Sequence, residues 1–354
     1  MKLIDRYIGI TVLQSTALVM VVLLALFGFA TFAGELEKVG KGHYDALQAM
    51  IYSLLVLPRL AYQLFPLVVL LGSIIGLGAL ASHSELTVVR AAGVSLRRIV
   101  WSVVKAGLLL MVVVVIVGEY VAPRAELKAQ SLRAEALQQR VSFRSGMGLW
   151  ARDGDRIVHV RDLMGPRSVG RVTVYSFDPS GALVGITKAR KADFEEGAWT
   201  LLGVRRSDIS AEGITTHHSR KEVWASLIKP EVMGVVTVKP HHLSASGLYL
   251  YISYLHDNGL DAGIYELALW RKLVSPLVVL VMIFVAVPFV FGPLRSTGIG
   301  QRIFVGSLVG IGFYLLDQTV GQMAVVYGIS PVLGVFVAPL LFLGGAFYGI
   351  SRIR

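Results

Sequence analysis

The sequence predicts a helical membrane protein in which six transmembrane helices, three before and three after, flank an extracytoplasmic all-β domain. The 354-residue chain is 55% hydrophobic and only 16% charged, whereas soluble domains are nearer a quarter charged. Long uncharged runs occur towards both ends, and the stretch 123–266 between them is polar and rich in turn residues. Basic residues concentrate in the loops on one side of the spans, which sets the orientation.

Six segments are long and apolar enough to cross a bilayer, for which a helix needs about 20 residues. Residues 7–34, 60–84, 273–294 and 318–351 carry no charge. Residues 99–122 contain Lys105 and Glu119 near the two ends, and residues 303–322 contain Asp317. We therefore divide the chain into helices 1–3 over 1–122, a β-domain with flanking helices over 123–266 and helices 4–6 over 267–354.

The loop charges place both termini in the cytoplasm and the large domain outside the membrane. One side collects Lys2, Arg6, Arg90, Arg97, Arg98, Lys105, Arg295, Arg302, Arg352 and Arg354, opposed by Asp5 and Glu85. The opposite short loops have no such excess, and Lys and Arg are retained on the cytoplasmic side. The net charge of +11 is thus a topology signal, and we expect no nucleic-acid partner.

The central stretch has the pattern of short strands separated by turns. Runs rich in Val, Ile, Thr and aromatics alternate with Asp-Gly, Pro-Ser-Gly and Glu-Gly turns, predicting strands at 156–160, 171–177, 183–188, 199–207 and 221–227. Residues 124–140, 248–256 and 264–270 look helical. Such spacing is typical of an antiparallel sandwich, barrel or jelly roll.

The residues predict no enzyme activity, cofactor or metal in this chain. Residues 38–42 have the glycines and lysine of a phosphate loop without its spacing or hydroxyl residue. His217-His218 and His241-His242 are adjacent pairs, which a strand points to opposite faces. Cysteine is absent. Any ATP hydrolysis would therefore belong to a partner chain.

Asp317 is the one acid well inside an apolar segment, where an ionisable side chain is a functional candidate by default. An intramembrane protease or proton carrier needs a second acid at similar depth, and the other spans offer none. We expect instead a packing role or a polar contact with Tyr314 or Gln318.

Basic residues near the outer interface have two interpretations. Ordinary anchoring to lipid headgroups is one, and convergence on a phosphorylated lipid head is the other. The residues concerned are Lys38, Lys41, Arg59, Arg133, Arg271 and Lys272.

A short cytoplasmic helix is predicted at about 84–93, between spans two and three. Ser84 suits its start and Gly93 its end, and Leu86, Val89 and Ala92 recur at helical spacing. It is either a solvated loop helix or an amphipathic segment that inserts into a groove of a cytoplasmic ATPase. In the second case Glu85 and Arg90 would supply charged contacts.

Several motifs together resemble the lipopolysaccharide-export permease family of LptF/LptG type, and its LptG branch more closely than its LptF branch. They are Leu3-Ile4-Asp5-Arg6-Tyr7-Ile8, Ser84-Glu85-Leu86, Ala91-Ala92-Gly93, Gly118-Glu119-Tyr120-Val121-Ala122-Pro123, Phe291-Gly292-Pro293-Leu294-Arg295-Ser296 and Tyr314-Leu315-Leu316-Asp317-Gln318. The resemblance covers the whole chain, and the combination is more specific than any single motif.

This resemblance implies a half-permease with a periplasmic β-jelly-roll in the bacterial inner membrane. It would pair with an LptF-like subunit, an LptB-like ATPase dimer and an LptC-like jelly-roll protein, and deliver lipopolysaccharide to an LptA-like periplasmic bridge. Glu85 and its helix would contact the ATPase, the first and fifth spans would line lateral openings, and Arg133, Lys38 and Lys41 would meet the lipid head. Related chains often have a lysine late in the first span, where this chain has Thr31.

An exporter needs an apolar chamber for acyl chains, and Leu26, Phe27, Phe65 and Tyr314 are candidate lining residues. The runner-up function is an ATPase-coupled mechanotransmission or regulatory membrane protein that moves no lipid. An intramembrane hydrolase is a third class, for which no nucleophile–base pair is visible within the spans.

Overall fold

A computed structural model describes residues 3–137, 149–165, 167–195, 197–210, 213–224, 240–291 and 298–352. The chain divides into two compact units, Met1–Leu132 with Gly263–Arg354, and Arg133–Ala262. The helices are α1 Leu3–Leu36, α2 Ala46–Ser82, α3 Glu85–Ala91, α4 Leu96–Ile116, α5 Ala122–Ala136, α6 Ala245–Asp257, α7 Gly263–Phe291, α8 Ile299–Val326 and α9 Pro331–Ser351.

Among the described residues, six helical segments are long and apolar enough to span a membrane. They are α1, α2, the continuous segment Leu96–Arg133, α7, α8 and α9. The third span is continuous because a π-helical turn, Val117–Val121, joins α4 to α5. The expected arrangement of three spans on each side of a β-domain is confirmed.

The boundary between α1 and α2 follows from local sequence. Gly40 and Gly42 have positive φ, at 88° and 63°, a conformation that glycine adopts at no steric cost. Asp45 then caps α2, since its Oδ1 accepts the backbone N–H of Gln48 at 2.7 Å and Gln48 Oε1 accepts that of Asp45 at 3.2 Å. From there α2 runs without interruption through Pro58.

The core of the helical unit lies where α2, α4 and α7 meet, and it includes Leu70, Val103 and Met282. Glycines on α2 let a neighbouring helix approach closely. A Cβ on Gly72 would overlap the backbone of Thr16 in α1, and one on Gly76 would lie 3.1 Å from the Cα of Val12.

The second unit contains one six-stranded antiparallel sheet. Its strands are β1 Leu149–Asp153, β2 Arg156–Gly165, β3 Ser168–Phe177, β4 Leu183–Glu195, β5 Ala198–Ser210 and β6 Gly213–Trp224, paired in chain order. The β-domain between the third and fourth spans is confirmed, and β1 is an additional strand. Within the described residues, each strand pairs with the next one along the chain. Residues 225–227 of the last expected strand lie outside the described residues.

One row of residues across the sheet contains Arg171 of β3 and Gly203 of β5, and we call this row the crease. These residues have φ of 49° and 63°, and the register on either side places them opposite each other across β4. In β5 the buried apolar positions change from odd to even at the crease, with Trp199 and Leu201 before it and Val204 after it. A one-residue shift normally reverses a strand's faces, and the left-handed residue compensates for it. The buried apolar residues of β5 on the two sides of the crease therefore lie on one face of the sheet.

Helix α6 packs on the β1–β2 hairpin within the same unit. The hydroxyl of Tyr254 donates to the carbonyl of Arg152 at 2.7 Å, and the backbone N–H of Gly154 donates to Asn258 Oδ1 at 3.0 Å. Burial raises the pKa of the Tyr254 phenol, so this donor keeps its proton at neutral pH. The end of β1 and the turn that follows it are thus held to α6 by two hydrogen bonds.

Replacing Gly72 by Ala should destabilise the helical unit, because the added methyl group forces α1 away from α2. Overpacking of this kind costs about 1–3 kcal/mol. The matched control is Gly312→Ala in α8, where a Cβ meets nothing within 4 Å. Thermal melting in detergent should give a lower Tm for Gly72→Ala than for Gly312→Ala, and equal melting temperatures would contradict the close α1–α2 contact.

Candidate functional site

Helix α3 is a short helix held between α2 and α4 with well-defined ends. Ser84 precedes it with a φ of 59° and makes no side-chain capping bond, so it starts the helix through its backbone and not as the expected side-chain cap. At the other end, the N–H of Gly93 donates to Arg90 O and that of Val94 to Val89 O. With φ of 85° at Gly93, this is the Schellman arrangement.

Two of the three apolar residues of α3 that were expected to face a partner lie against the bundle instead. Leu86 is only 4% exposed and packs in the helical core, and Val89 packs against the same core. Both side chains therefore anchor α3 to its own bundle, which corrects the expectation that they insert into a partner's groove. The solvent-facing side carries Val88, which is 66% exposed, together with Arg90 and Ala92.

Two polar side chains of α1, those of Tyr7 and Asp5, tie this helix to its neighbours in this region. The hydroxyl of Tyr7 donates to Glu85 Oε2 at 2.8 Å, linking α1 to α3. The buried carboxylate of Asp5 accepts from Ser102 Oγ at 2.9 Å and from Lys105 Nζ at 3.0 Å, linking α1 to α4. Glu85 is thus the point at which α3 is connected to the first span.

The outer surfaces of α1 and α8 are the least covered of the six spans. In the most apolar stretch of the span, 6% of the residues of α1 and 17% of those of α8 are buried. The corresponding share is 44–67% for the spans of α2, α4 and α7. Leu26, Phe27 and Tyr314 are exposed on these two helices, whereas Phe65 is 4% exposed inside the core. Three of the four candidate lining residues therefore lie on an exposed apolar surface, whereas Phe65 does not.

Besides Arg271, which is described below, three of the basic residues near the outer interface are paired with acids of this chain. Lys38 Nζ lies 2.6 Å from Glu35 Oε1, Arg59 Nε lies 3.0 Å from the buried Glu126 Oε2, and Lys272 Nζ lies 3.7 Å from Glu119 Oε2. Lys41 is exposed in the loop after α1. Arg133 is half-buried on α5 and belongs to the second unit.

Lys272 is the most enclosed of these cations. Its side chain is 10% exposed, its ammonium donates to the carbonyl of Gly118 at 2.6 Å, and it lies 5.6 Å from the centre of the Tyr62 ring. Gly118 lies in the π-helical turn. The backbone hydrogen bonds there do not follow the regular α-helical spacing, so a carbonyl becomes available to another helix. Lys272 therefore joins α2, the π-turn and α7 instead of facing lipid.

Asp317 has a basic partner that the sequence did not indicate. Arg271 Nε of α7 lies 3.2 Å from Asp317 Oδ2, and its Nη2 donates to the Asp317 carbonyl at 2.8 Å. This pair replaces the expected contact with Tyr314 or Gln318. A charge-neutralising bridge between α7 and α8 accounts for an acid at this position without a catalytic or proton-carrying role.

The second unit contains a cavity of about 580 Å³ beside the β1–β2 hairpin. Its lining mixes aromatic and charged residues, among them Trp150, Arg152, Asp155, Phe177 and Asp178. The buried face of the sheet is separate from it and strictly apolar along β2 and β3, with Val158, Val160, Val172 and Val174.

Replacing Lys272 by Met tests whether this residue is structural or binds a phosphate. Breaking a buried ion pair costs about 3–5 kcal/mol because the remaining charge is left uncompensated, so Lys272→Met should lower the Tm strongly. The exposed Lys41 provides the control, since Lys41→Met should leave the Tm unchanged. A stable Lys272→Met variant with weakened lipopolysaccharide binding would instead restore the headgroup assignment.

Known proteins of one family match almost the whole chain. The family model described as lipopolysaccharide export system permease LptF/LptG matches residues 6–352. The chain is 37% identical over 342 residues to lipopolysaccharide export system permease protein LptG of Escherichia coli strain K12, covering 96% of this chain and 95% of that protein. It is 37% identical over 353 residues to the Haemophilus influenzae protein of the same name, covering 99% of both. This chain is therefore a multi-pass inner-membrane protein of the LptF/LptG family of lipopolysaccharide export system permeases.

Proposed function

We propose that this chain is a membrane subunit of an ATP-driven exporter that extracts lipopolysaccharide from the outer leaflet of the inner membrane. The resemblance to LptG proteins supports the substrate class. The loop charges support cytoplasmic termini and a periplasmic β-domain. The observation that carries the proposal is the uncovered apolar surface of the first and fifth spans.

That surface has the properties that lipid extraction requires. Moving acyl chains out of a bilayer costs roughly 0.8 kcal/mol for each CH₂ exposed to water, so the lipid must pass directly into another apolar environment. Both α1 and α8 pack on α2, through contacts that include Val19, Val68 and Ile303. The uncovered faces of α1 and α8 therefore lie on either side of α2. A second six-span subunit of LptF type, packed opposite these faces, would enclose an apolar chamber between the two subunits.

Helix α3 is the proposed coupling element. An LptB-like ATPase dimer would contact its exposed side, where Val88 and Ala92 are apolar and Arg90 is charged. Because Leu86 is buried in the bundle and Glu85 bonds Tyr7 of α1, a displacement of α3 would be transmitted to the first span. That span bears one of the two uncovered lateral surfaces, so a nucleotide-driven movement of α3 would change the shape of the chamber.

The β-domain is the proposed receiver of the acyl chains. Its apolar sheet face, with Val174 among its buried residues, would hold them. Among the described strands, β1 and β6 are the edges of the sheet, and an edge can pair with a strand of another β-domain. An LptC-like protein and an LptA-like periplasmic bridge are the partners that such an edge would take.

A regulatory protein coupled to an ATPase would share α3 but would have no use for a lipid path. Lipopolysaccharide added to the purified complex distinguishes the two functions. An exporter should hydrolyse ATP faster in its presence, and Glu85→Lys should abolish that increase by breaking the link from α3 to α1. ATP hydrolysis that ignores lipopolysaccharide would favour the regulatory function.

Val88→Glu should uncouple the ATPase, because it places a charge at the centre of the proposed apolar contact. We expect at least a tenfold loss of ATPase co-purification, on the scale of losing one buried apolar anchor, with the Tm of the chain unchanged. Val223→Glu, at an equally exposed valine of β6, is the control and should co-purify normally. Normal co-purification of Val88→Glu would show that this side of α3 is not the contact.

Photo-crosslinking maps the lipid path. A photoreactive residue at Phe27 or Tyr314 should crosslink lipopolysaccharide in energised vesicles, since both side chains lie on the open surfaces. The same residue at the buried Phe65 should not. Crosslinks at Val174 should appear only with ATP, and crosslinks at Phe65 that exceed those at Phe27 would place the path inside the bundle instead.

A further inference from the structure

A cavity of about 500 Å³ opens where α1 and α4 begin, and none of the functions above uses it. Its wall combines Asp5 of α1 with Ser95, Arg97, Arg98, Trp101 and Lys105 of the first two turns or so of α4. The α4 residues recur at three- and four-residue intervals, so one face of that helix lines the cavity. Three cations and one carboxylate give the wall a net positive charge.

The single carboxylate of the wall is already satisfied. Asp5 is 7% exposed and accepts hydrogen bonds from Ser102 and Lys105, with Arg98 Nε at 3.7 Å. One carboxylate cannot neutralise three cations. Within the described part of the chain, Arg97 forms no ion pair with a carboxylate, and it is exposed to the cavity. The unneutralised charge is therefore presented by Arg97 and Arg98.

The cavity lies at the depth where lipid phosphates occur. The third span begins at Leu96, so Arg97 and Arg98 are in its first turn. Trp101 follows one turn deeper and is 56% exposed, and tryptophan concentrates at the boundary between headgroups and acyl chains. Ser95 makes no capping bond at the start of α4, so the positive end of the helix dipole also faces this region.

We propose that this cavity binds the phosphate of an anionic glycerophospholipid from the leaflet on the α3 side of the membrane. The forked guanidinium groups of Arg97 and Arg98 suit the bidentate geometry of a phosphate, and Trp101 would lie against the glycerol and first methylenes. A zwitterionic headgroup would bring a further cation into a positive cavity, so the site selects anionic lipids. It is separate from the outer surfaces of α1 and α8 and thus from the proposed export substrate.

The test uses the full chain, purified with its partner chains, and short-chain phosphatidylglycerol or phosphatidylcholine as the added lipid. Bound lipid is counted by native mass spectrometry, and stabilisation is followed by thermal melting, because a ligand that binds the folded state raises the Tm. We expect retention and stabilisation with phosphatidylglycerol only. Equal effects of the two lipids would overturn the proposal.

Arg97→Gln should weaken phosphatidylglycerol binding about tenfold, the effect of losing one charge-assisted hydrogen bond, and Arg97→Lys should weaken it less. Arg97 lies outside the Asp5 contacts, so the variants keep the fold. Arg205→Gln removes the same charge from an exposed position of β5 and should bind normally. Unchanged binding by Arg97→Gln, or an equal loss in Arg205→Gln, would contradict a specific site.

Inorganic phosphate separates a lipid site from a free-anion site. At concentrations equal to the lipid it should neither displace phosphatidylglycerol nor raise the Tm, because it lacks the glycerol and acyl contacts with Trp101. Displacement of the lipid by equimolar phosphate would show that the cavity binds a free anion, and would overturn the lipid assignment.

Discussion

The cost of an unpaired charge in a bilayer determines how the helices of this protein are joined. An ionised side chain that leaves water without a partner loses more free energy than any single packing contact returns. Lys272 with Glu119 and Arg271 with Asp317 each connect different helices at membrane depth. These pairs fix which faces of α4, α7 and α8 point inward. The faces left outside, above all those of α1 and α8, are then free to be apolar and uncovered.

The same cost explains why the sequence and the structure give the basic residues near the outer interface different partners. The sequence suggested a lipid headgroup, whereas the structure pairs several of them with acids of the chain. A sequence shows that Lys272 and Arg59 are near a membrane boundary, but not that Glu119 and Glu126 lie across from them. The two acids are 153 and 67 positions away in the chain. The π-helical turn at Val117–Val121 has no sequence signature of its own, and it supplies the carbonyl that completes the Lys272 site.

The spans, the β-domain and the hairpin turns could be predicted because each depends on local pattern: apolar length, alternation and glycine-containing turns. The location of α3 was predictable for the same reason. Its orientation was not, because Leu86, Val88 and Val89 are equally apolar and only the bundle decides which of them is covered. Periodicity identifies a stripe on a helix, whereas the partner of that stripe is set by tertiary packing. Tyr7 and Ser102 were missed because single hydroxyl groups at helix ends have no distinguishing spacing.

The crease in the sheet limits how this domain can vary. Deleting Gly203 would place Trp199, Leu201 and Val204 at regular two-residue intervals, but it would shift one half of β5 by one residue against β4 and β6. Both neighbouring strands keep their own residue in the row, so the register with β4 and β6 would fail together. Related chains should therefore tolerate length changes in the hairpin turns but not in this row. There, the left-handed backbone of Arg171 in β3 and of Gly203 in β5 keeps the apolar side chains of each strand on one face of the sheet.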